Sequence, residues 1–153
     1  MKLFQTLAAC FLLAASIPVP SRAASSASLT IEIASGQDTR NPVVHVTLKN
    51  LSAAPLHITS AGAFFDYQCR VTDAKGHPVR MTKEGLDIRN GHGVIVTSAA
   101  IIALNQNETQ QQDLDLARYF DLSGGGPYRL VLVRVLDNLG ERITSNALDI
   151  RTK

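Results

Sequence analysis

The chain has 153 residues, with 15 Lys+Arg against 13 Asp+Glu. Lys2 and Arg22 fall in the first 23 residues with no acid beside them, so residues 24–153 hold 13 of each sign and sum to zero. With no Trp, few aromatics and no basic run, this balance argues against a nucleic acid or another polyanion as partner.

The first element is a leader. Lys2 gives a positive start, and residues 3–15 are apolar except for Gln5 and Thr6. Pro18 and Pro20 follow, then Ser21-Arg22-Ala23, with small residues at positions −3 and −1 of a cut after Ala23. This is the pattern of a signal peptide over residues 1–23, so a periplasmic or secreted protein is expected. A lipobox reading of Leu7-Ala8-Ala9-Cys10 is disfavoured. Cys10 leaves too short an apolar stretch before it and a long one after it. Residues 24–153 make one domain's worth of chain. Nothing beyond the leader reaches the roughly 20 apolar residues of a membrane span. The longest run, residues 94–104, is too short and carries Thr97 and Ser98.

The mature part reads as strand after strand. Leu29, Ile31 and Ile33 alternate with Thr30 and Glu32. A turn-rich loop over residues 36–42 precedes Val44, Val46 and Leu48, which face in, with His45, Thr47 and Lys49 facing out. Residues 50–55 are read as a loop and Leu56 with Ile58 as a short strand. Phe65, Tyr67, Cys69 and Val71 share one face of the next strand. Asp73-Ala74-Lys75-Gly76 is turn chemistry, and Val79 and Met81 return as a second hairpin arm. Pro78 places that arm at a sheet edge. Residues 83–93 read as a polar loop containing Gly85, Gly91 and Gly93. Residues 94–104 read as a strand, and residues 109–114 as an exposed strand. Residues 115–120 give one helical turn. Gly124-Gly125-Gly126-Pro127 closes a loop before the strongest strand, residues 128–136. Asp137-Asn138-Leu139-Gly140 turns the chain into a last strand over residues 143–150.

Few helices and many short strands with frequent turns predict an all-β fold, an antiparallel β-sandwich. The segment Leu104-Asn105-Gln106-Asn107-Glu108, the corner Leu114-Asp115-Leu116, Tyr119-Phe120-Asp121-Leu122-Ser123 and the strand opening Gly126-Pro127-Tyr128-Arg129-Leu130 resemble immunoglobulin-like modules of secreted bacterial proteins. Gln106-Asn107 stands where such modules usually have Pro-Gly. The half from Asn50 to Met81 is similar in style to deuterolysin-type protease prosegments and to small bacterial proteinase inhibitors of the intracellular-inhibitor type. The resemblance implies an immunoglobulin-like antiparallel sandwich of about 7–9 strands. Tyr128 is then a fold staple, its ring under the corner and its hydroxyl available to nearby backbone.

The chemistry-bearing residues give no assembled site. Cys69 is the lone mature cysteine, cannot form an internal disulfide, and is expected to be a buried structural thiol. His45, His57, His77 and His92 show no local ligand spacing and read as solvated surface residues, although His45 and His57 lie on strands that could be neighbours. Only Met81 remains for a copper carrier after Met1. Asp113, Asp115 and Asp121 could gather around Ca²⁺ but alternate as an exposed face does. Ser123 lies in a loop rather than a nucleophile elbow, and the Gly124-to-Gly126 run has no phosphate-loop partners. Asn50-Leu51-Ser52 and Asn107-Glu108-Thr109 fit the glycosylation pattern. No catalytic, cofactor or metal residue is therefore assigned. The strand of residues 128–136 is apolar on both faces, with Leu130 and Leu132 on one and Val131, Val133 and Val135 on the other, interrupted by Arg129 and Arg134. Local cover of the second face is favoured over cover by another protein.

These residues point to a non-enzymatic, protein-binding module whose partner is another envelope or secreted protein. The contact sites would be residues 83–93, Gly124 to Gly126, or an open sheet edge. A protease inhibitor or prosegment-like module is the sharper variant. A small metal-dependent or hydrolytic enzyme on the same scaffold is the rival from another class.

Overall fold

The computed structural model describes residues 25–34, 40–92, 99–136 and 138–152. The leader, residues 94–98 of the long apolar run, Gly93 and Asp137 lie outside them. Strand is the dominant regular structure among the described residues, and every strand pairing among them is antiparallel. Its elements are β1 (Ala27–Ile33), β2 (Val43–Asn50), β3 (Leu56–Ser60), α1 (Ala63–Asp66), β4 (Gln68–Thr72), α2 (Lys83–Arg89), β5 (Ala100–Leu104), β6 (Thr109–Asp115), α3 (Leu116–Tyr119), β7 (Tyr128–Leu136), β8 (Glu141–Thr144) and β9 (Leu148–Ile150).

One sheet has the order β1-β2-β6. A second has β4-β7-β8, with β9 also paired to β7, and β3 and β5 form a separate two-stranded ribbon. The inward residues of all three meet in one core, in which Val44, Leu48, Leu116, Leu130 and Leu132 are fully buried. The period-two pattern causes this arrangement: in β2 every second residue, Val44, Val46, Leu48 and Asn50, points inward. Burying such a set removes each large side chain from water at about 1.5–3 kcal/mol apiece.

Several expected elements take a different form. Phe65 does not open a strand. Residues 63–66 make a helical turn before β4, Phe65 is 41% exposed, and the buried set begins at Tyr67. Asp66 stops the extended run because its carboxylate folds back to accept from Ala61 N at 2.8 Å. Val79 and Met81 form no continuous hairpin arm. Thr72 bridges Pro78 and Met81 bridges Phe120 singly, with Pro78 lying against the outer edge of β4. Residues 83–93 are not a loop throughout: α2 occupies residues 83–89, started by Thr82, whose hydroxyl accepts from Gly85 N at 3.1 Å. Gly85 in that helix is a packing glycine, since a Cβ there would sit 2.5 Å from the Tyr119 carbonyl oxygen of α3. Ile33 turns out 41% exposed as β1 ends.

Asn50 closes β2 rather than opening a loop, and it is fully buried. Its amide donates to Ala54 O at 2.9 Å and Leu104 O at 2.8 Å, and accepts from Ser52 N at 2.9 Å. The Asn-Leu-Ser triplet is thus a structural knot, with no room for a glycan on Asn50. Asn107 instead sits exposed at φ 67° in the β5–β6 turn, a conformation Asn tolerates.

The final strand is broken in two. β8 ends at Thr144, and Ser145 then replaces a ladder residue: its N donates to Leu132 O at 2.9 Å, and its hydroxyl accepts from Leu132 N at 2.9 Å. Asn146 swings to the opposite sheet, accepting from Ile31 N at 2.8 Å and donating to Ile31 O at 3.0 Å. One amide side chain therefore occupies the outer edge of β1, where a neighbouring strand would otherwise bind.

Asn146→Ala removes both of these bonds from the β1 edge. We expect a loss of about 1–3 kcal/mol, read as a lower urea midpoint with unchanged slope, together with a greater tendency to aggregate.

Candidate binding surfaces

Of the two segments expected to carry contacts, residues 83–93 and Gly124 to Gly126, only Gly125 lines the main cleft, which is built instead by the residues just before α2 and those after α3. Thr82 N donates to Tyr119 O at 3.0 Å, the Thr82 hydroxyl donates to Arg118 O at 2.7 Å, and Asp121 N donates to Arg80 O at 2.9 Å. These bonds lay residues 80–82 and α2 along α3, and Arg118 Nε reaches Glu84 Oε1 at 2.6 Å. Phe64 stacks on Tyr119 with ring centroids 3.9 Å apart and meets Phe120 edge-on at 6.2 Å, fixing α3 from below. The result is an open cleft of about 570 Å³ lined by Met81, Thr82, Phe120, Asp121, Ser123 and Gly125, together with Arg40 and Thr152. Its lining mixes the Phe120 ring and aliphatic side chains with hydroxyls and a carboxylate. The Asp121 carboxylate is held below its ordinary pKa by the Ser123 hydroxyl, which donates at 2.6 Å, and by the Ser123 backbone N–H.

The second surface is the ribbon. β3 is the only partner of β5 among the described residues, and the exposed face of β5 carries Ile101, 80% exposed, between exposed Ala99 and Ala103. Ile101 shares a groove with His57, Thr59, Val135 and Leu136, so β7 and the ribbon meet there. On β7, Val133 is covered within the chain while Val135 is 49% exposed, so local cover of the second apolar face stops short of its end.

Arg134 does not interrupt an outer face; it is directed inward and only 6% exposed. Its Nη2 donates to Thr59 O at 2.6 Å, its Nη1 lies 3.8 Å from Asp66 Oδ2, and its guanidinium lies 5.2 Å from the centre of the Tyr67 ring. Asp66 Oδ2 also accepts from Gln112 Nε2 at 2.8 Å, and Ser60 Oγ accepts from Gln110 and Gln112 at 2.7 and 2.8 Å. Burial raises the Tyr67 hydroxyl above its ordinary value, with Arg134 opposing. This network was missed because an Arg at an inward position of an apolar strand reads in sequence as a break.

His45 is not simply solvated. The register places it directly between Glu32 on β1 and Asp113 on β6, and its Nδ1 lies 2.6 Å from Asp113 Oδ1. A carboxylate holding one ring nitrogen is the orienting half of a base dyad, but no nucleophile is hydrogen-bonded to the ring among the described residues. His57 lies on the ribbon and not beside β2, so those two histidines are not strand neighbours. His77 pairs loosely with Asp73 at 3.5 Å. Asp113 faces His45, Asp115 caps α3 by accepting from Arg118 N, and Asp121 serves Ser123, so the three acids do not converge. Among the described residues no set of three His, Cys, Asp or Glu side chains could hold a metal ion, and no helix is long and apolar enough to cross a membrane. Tyr128 is buried with its hydroxyl close over Gly124. No family model matches the chain, and no curated protein matches it.

Cys69 is 8% exposed and its thiol is pushed up to about 12 by desolvation, with Arg89 opposing. We expect no reaction with a thiol reagent in the native protein at pH 8 and full labelling in denaturant. The sign follows from proton linkage. The stability Cys69 contributes is present in full below the unfolded thiol value of 9.0 and is lost as pH rises from there toward about 12. Cys69→Ala should flatten that alkaline fall in a urea-unfolding series.

Proposed function

We propose that the chain is a secreted or periplasmic, non-enzymatic immunoglobulin-like domain that binds another envelope or secreted protein through the loops at one end. The strand orders β1-β2-β6 and β4-β7-β8, packed on one core, support the immunoglobulin-like reading. The leader pattern of residues 1–23 supports export. The observation that carries the binding assignment is the meeting of Met81 and Thr82 with residues 120–123 and Gly125 around one open cleft. Loops held on a rigid β scaffold are where such domains place recognition. The cleft's mixture of Phe120 and Met81 with Asp121, Ser123 and Thr82 suits a protein surface with an apolar anchor and polar rim.

The test is capture on immobilised wild-type protein and on Ser123→Arg, which fills the exposed rim of the cleft without touching the core. A defined partner bound by the wild type and lost with Ser123→Arg is the expected result. A partner bound equally by both, or none from envelope and secreted fractions, would overturn the cleft assignment.

A further inference from the structure

The cleft does not involve the ribbon, and the ribbon has an unusual edge. Natural edge strands are blunted by charge, Pro, a bulge or a covering group. The outer edge of β1 is covered by Asn146, and β4 carries the Pro78 segment. β5, Ala-Ile-Ile-Ala-Leu, carries no charge, no Pro and no covering strand among the described residues. Alternate residues therefore present N–H and C=O groups with no ladder partner among the described residues, beside an Ile that is 80% exposed.

Taken with Ala99, the residue just before β5, the exposed side chains read the same in both directions: Ala99, Ile101, Ala103. Antiparallel pairing of a strand with its own copy is two-fold symmetric and keeps each face on its own side. Centred on Ile101, such pairing sets Ile101 against its copy and Ala99 against Ala103, with no like charges opposed. Two small residues flank each large one, so the side chains of the central pair meet without a clash. A two-stranded ribbon is also marginal by itself, whereas three or more strands with an apolar face are stable. Joining two ribbons gives a four-stranded sheet in the order β3-β5-β5-β3.

We propose that the partner of the β5 edge is a second copy of this chain, paired antiparallel through β5 about Ile101. The assembly is an isologous dimer that leaves both loop-end clefts free. It stands independently of what those clefts bind.

The test is the mass of the purified protein by sedimentation over a concentration series, with two variants. Ile101→Lys sets like charges directly across the axis and should weaken association by about a hundredfold or more. Its thermal melt, followed in dilute monomer, checks folding. Ile101→Cys places its sulfur across the axis, where paired Cα atoms lie about 4.5–5.5 Å apart, within disulfide range. Mild oxidation should give a covalent dimer, while Leu51→Cys, on an exposed loop, should not. A wild type that is monomeric at every concentration overturns the proposal. So does a dimer that Ile101→Lys leaves intact or Ile101→Cys fails to crosslink. A monomer that still captures a Ser123-dependent partner overturns self-pairing and leaves the cleft reading standing.

Discussion

The ribbon of β3 and β5 belongs to neither main sheet, and the fold depends on the buried charge that ties it down. Arg134 reaches from β7 to the Thr59 carbonyl while facing Asp66. Both side chains are almost wholly removed from water, at 6% and 4% exposure. Such a pair is costly to desolvate, and its attraction compensates only when other hydrogen bonds satisfy the remaining lone pairs. Here Ala61 N and Gln112 Nε2 donate to Asp66, and Gln112 is itself held by donating to Ser60 Oγ, while Arg134 Nη1 has only its charge contact with Asp66 among the described residues. At the opposite end of β5, Asn50 donates to Leu104 O. Polar side chains thus do at both ends of the ribbon what a continuous ladder does elsewhere in the sheets.

That arrangement decides where the surface is open. Because α1 diverts the chain between β3 and β4, β4 meets β7 only as far as Val133, and Arg134 to Leu136 are left facing the ribbon. The outer edge of β5 then lies on the rim of the molecule with Ile101 in water. The break between β8 and β9 works the other way: Ser145 keeps β7 paired while Asn146 seals the β1 edge. The two edges are treated differently by the same chain, one capped and one left apolar. At the loop end, stacked Phe64 and Tyr119 and the close fit of Gly85 under Tyr119 set α2 against α3 and shape the cleft.

Much of the strand content was legible, because half-buried strands write themselves as alternation. β1, β2, β7 and the exposed β6 all read directly, as did the single helical turn of α3. Cys69 also read correctly, since it shares parity with Tyr67 and Val71. What failed was local chemistry that overrides period two. Asp66 turns a strand-like run into α1, and Thr82 nucleates α2 in a segment whose glycines suggest a loop. Ser145 and Asn146 split an apparently continuous strand. Arg134 and Asn50 were illegible for a related reason: each has a key partner far away in sequence, Leu104 for Asn50 and Thr59 for Arg134, 54 and 75 residues off. Of the loops expected to carry contacts only Gly125 lines the cleft, because the pairing of residues 80–82 with α3 that builds it leaves no local pattern. The His45–Asp113 contact needed the register of three strands to be known.

The central claim is that the Arg134–Asp66 interaction holds the ribbon to the sheets, and a double-mutant cycle on urea stability tests it most directly. Arg134→Met and Asp66→Asn should each cost about 3 kcal/mol, since each strands a buried partner, and the double variant should cost far less than their sum. A coupling of about 2 kcal/mol is the predicted result. Additive losses, with coupling near zero, would mean that apolar packing alone positions β3 and β5 and would contradict the account.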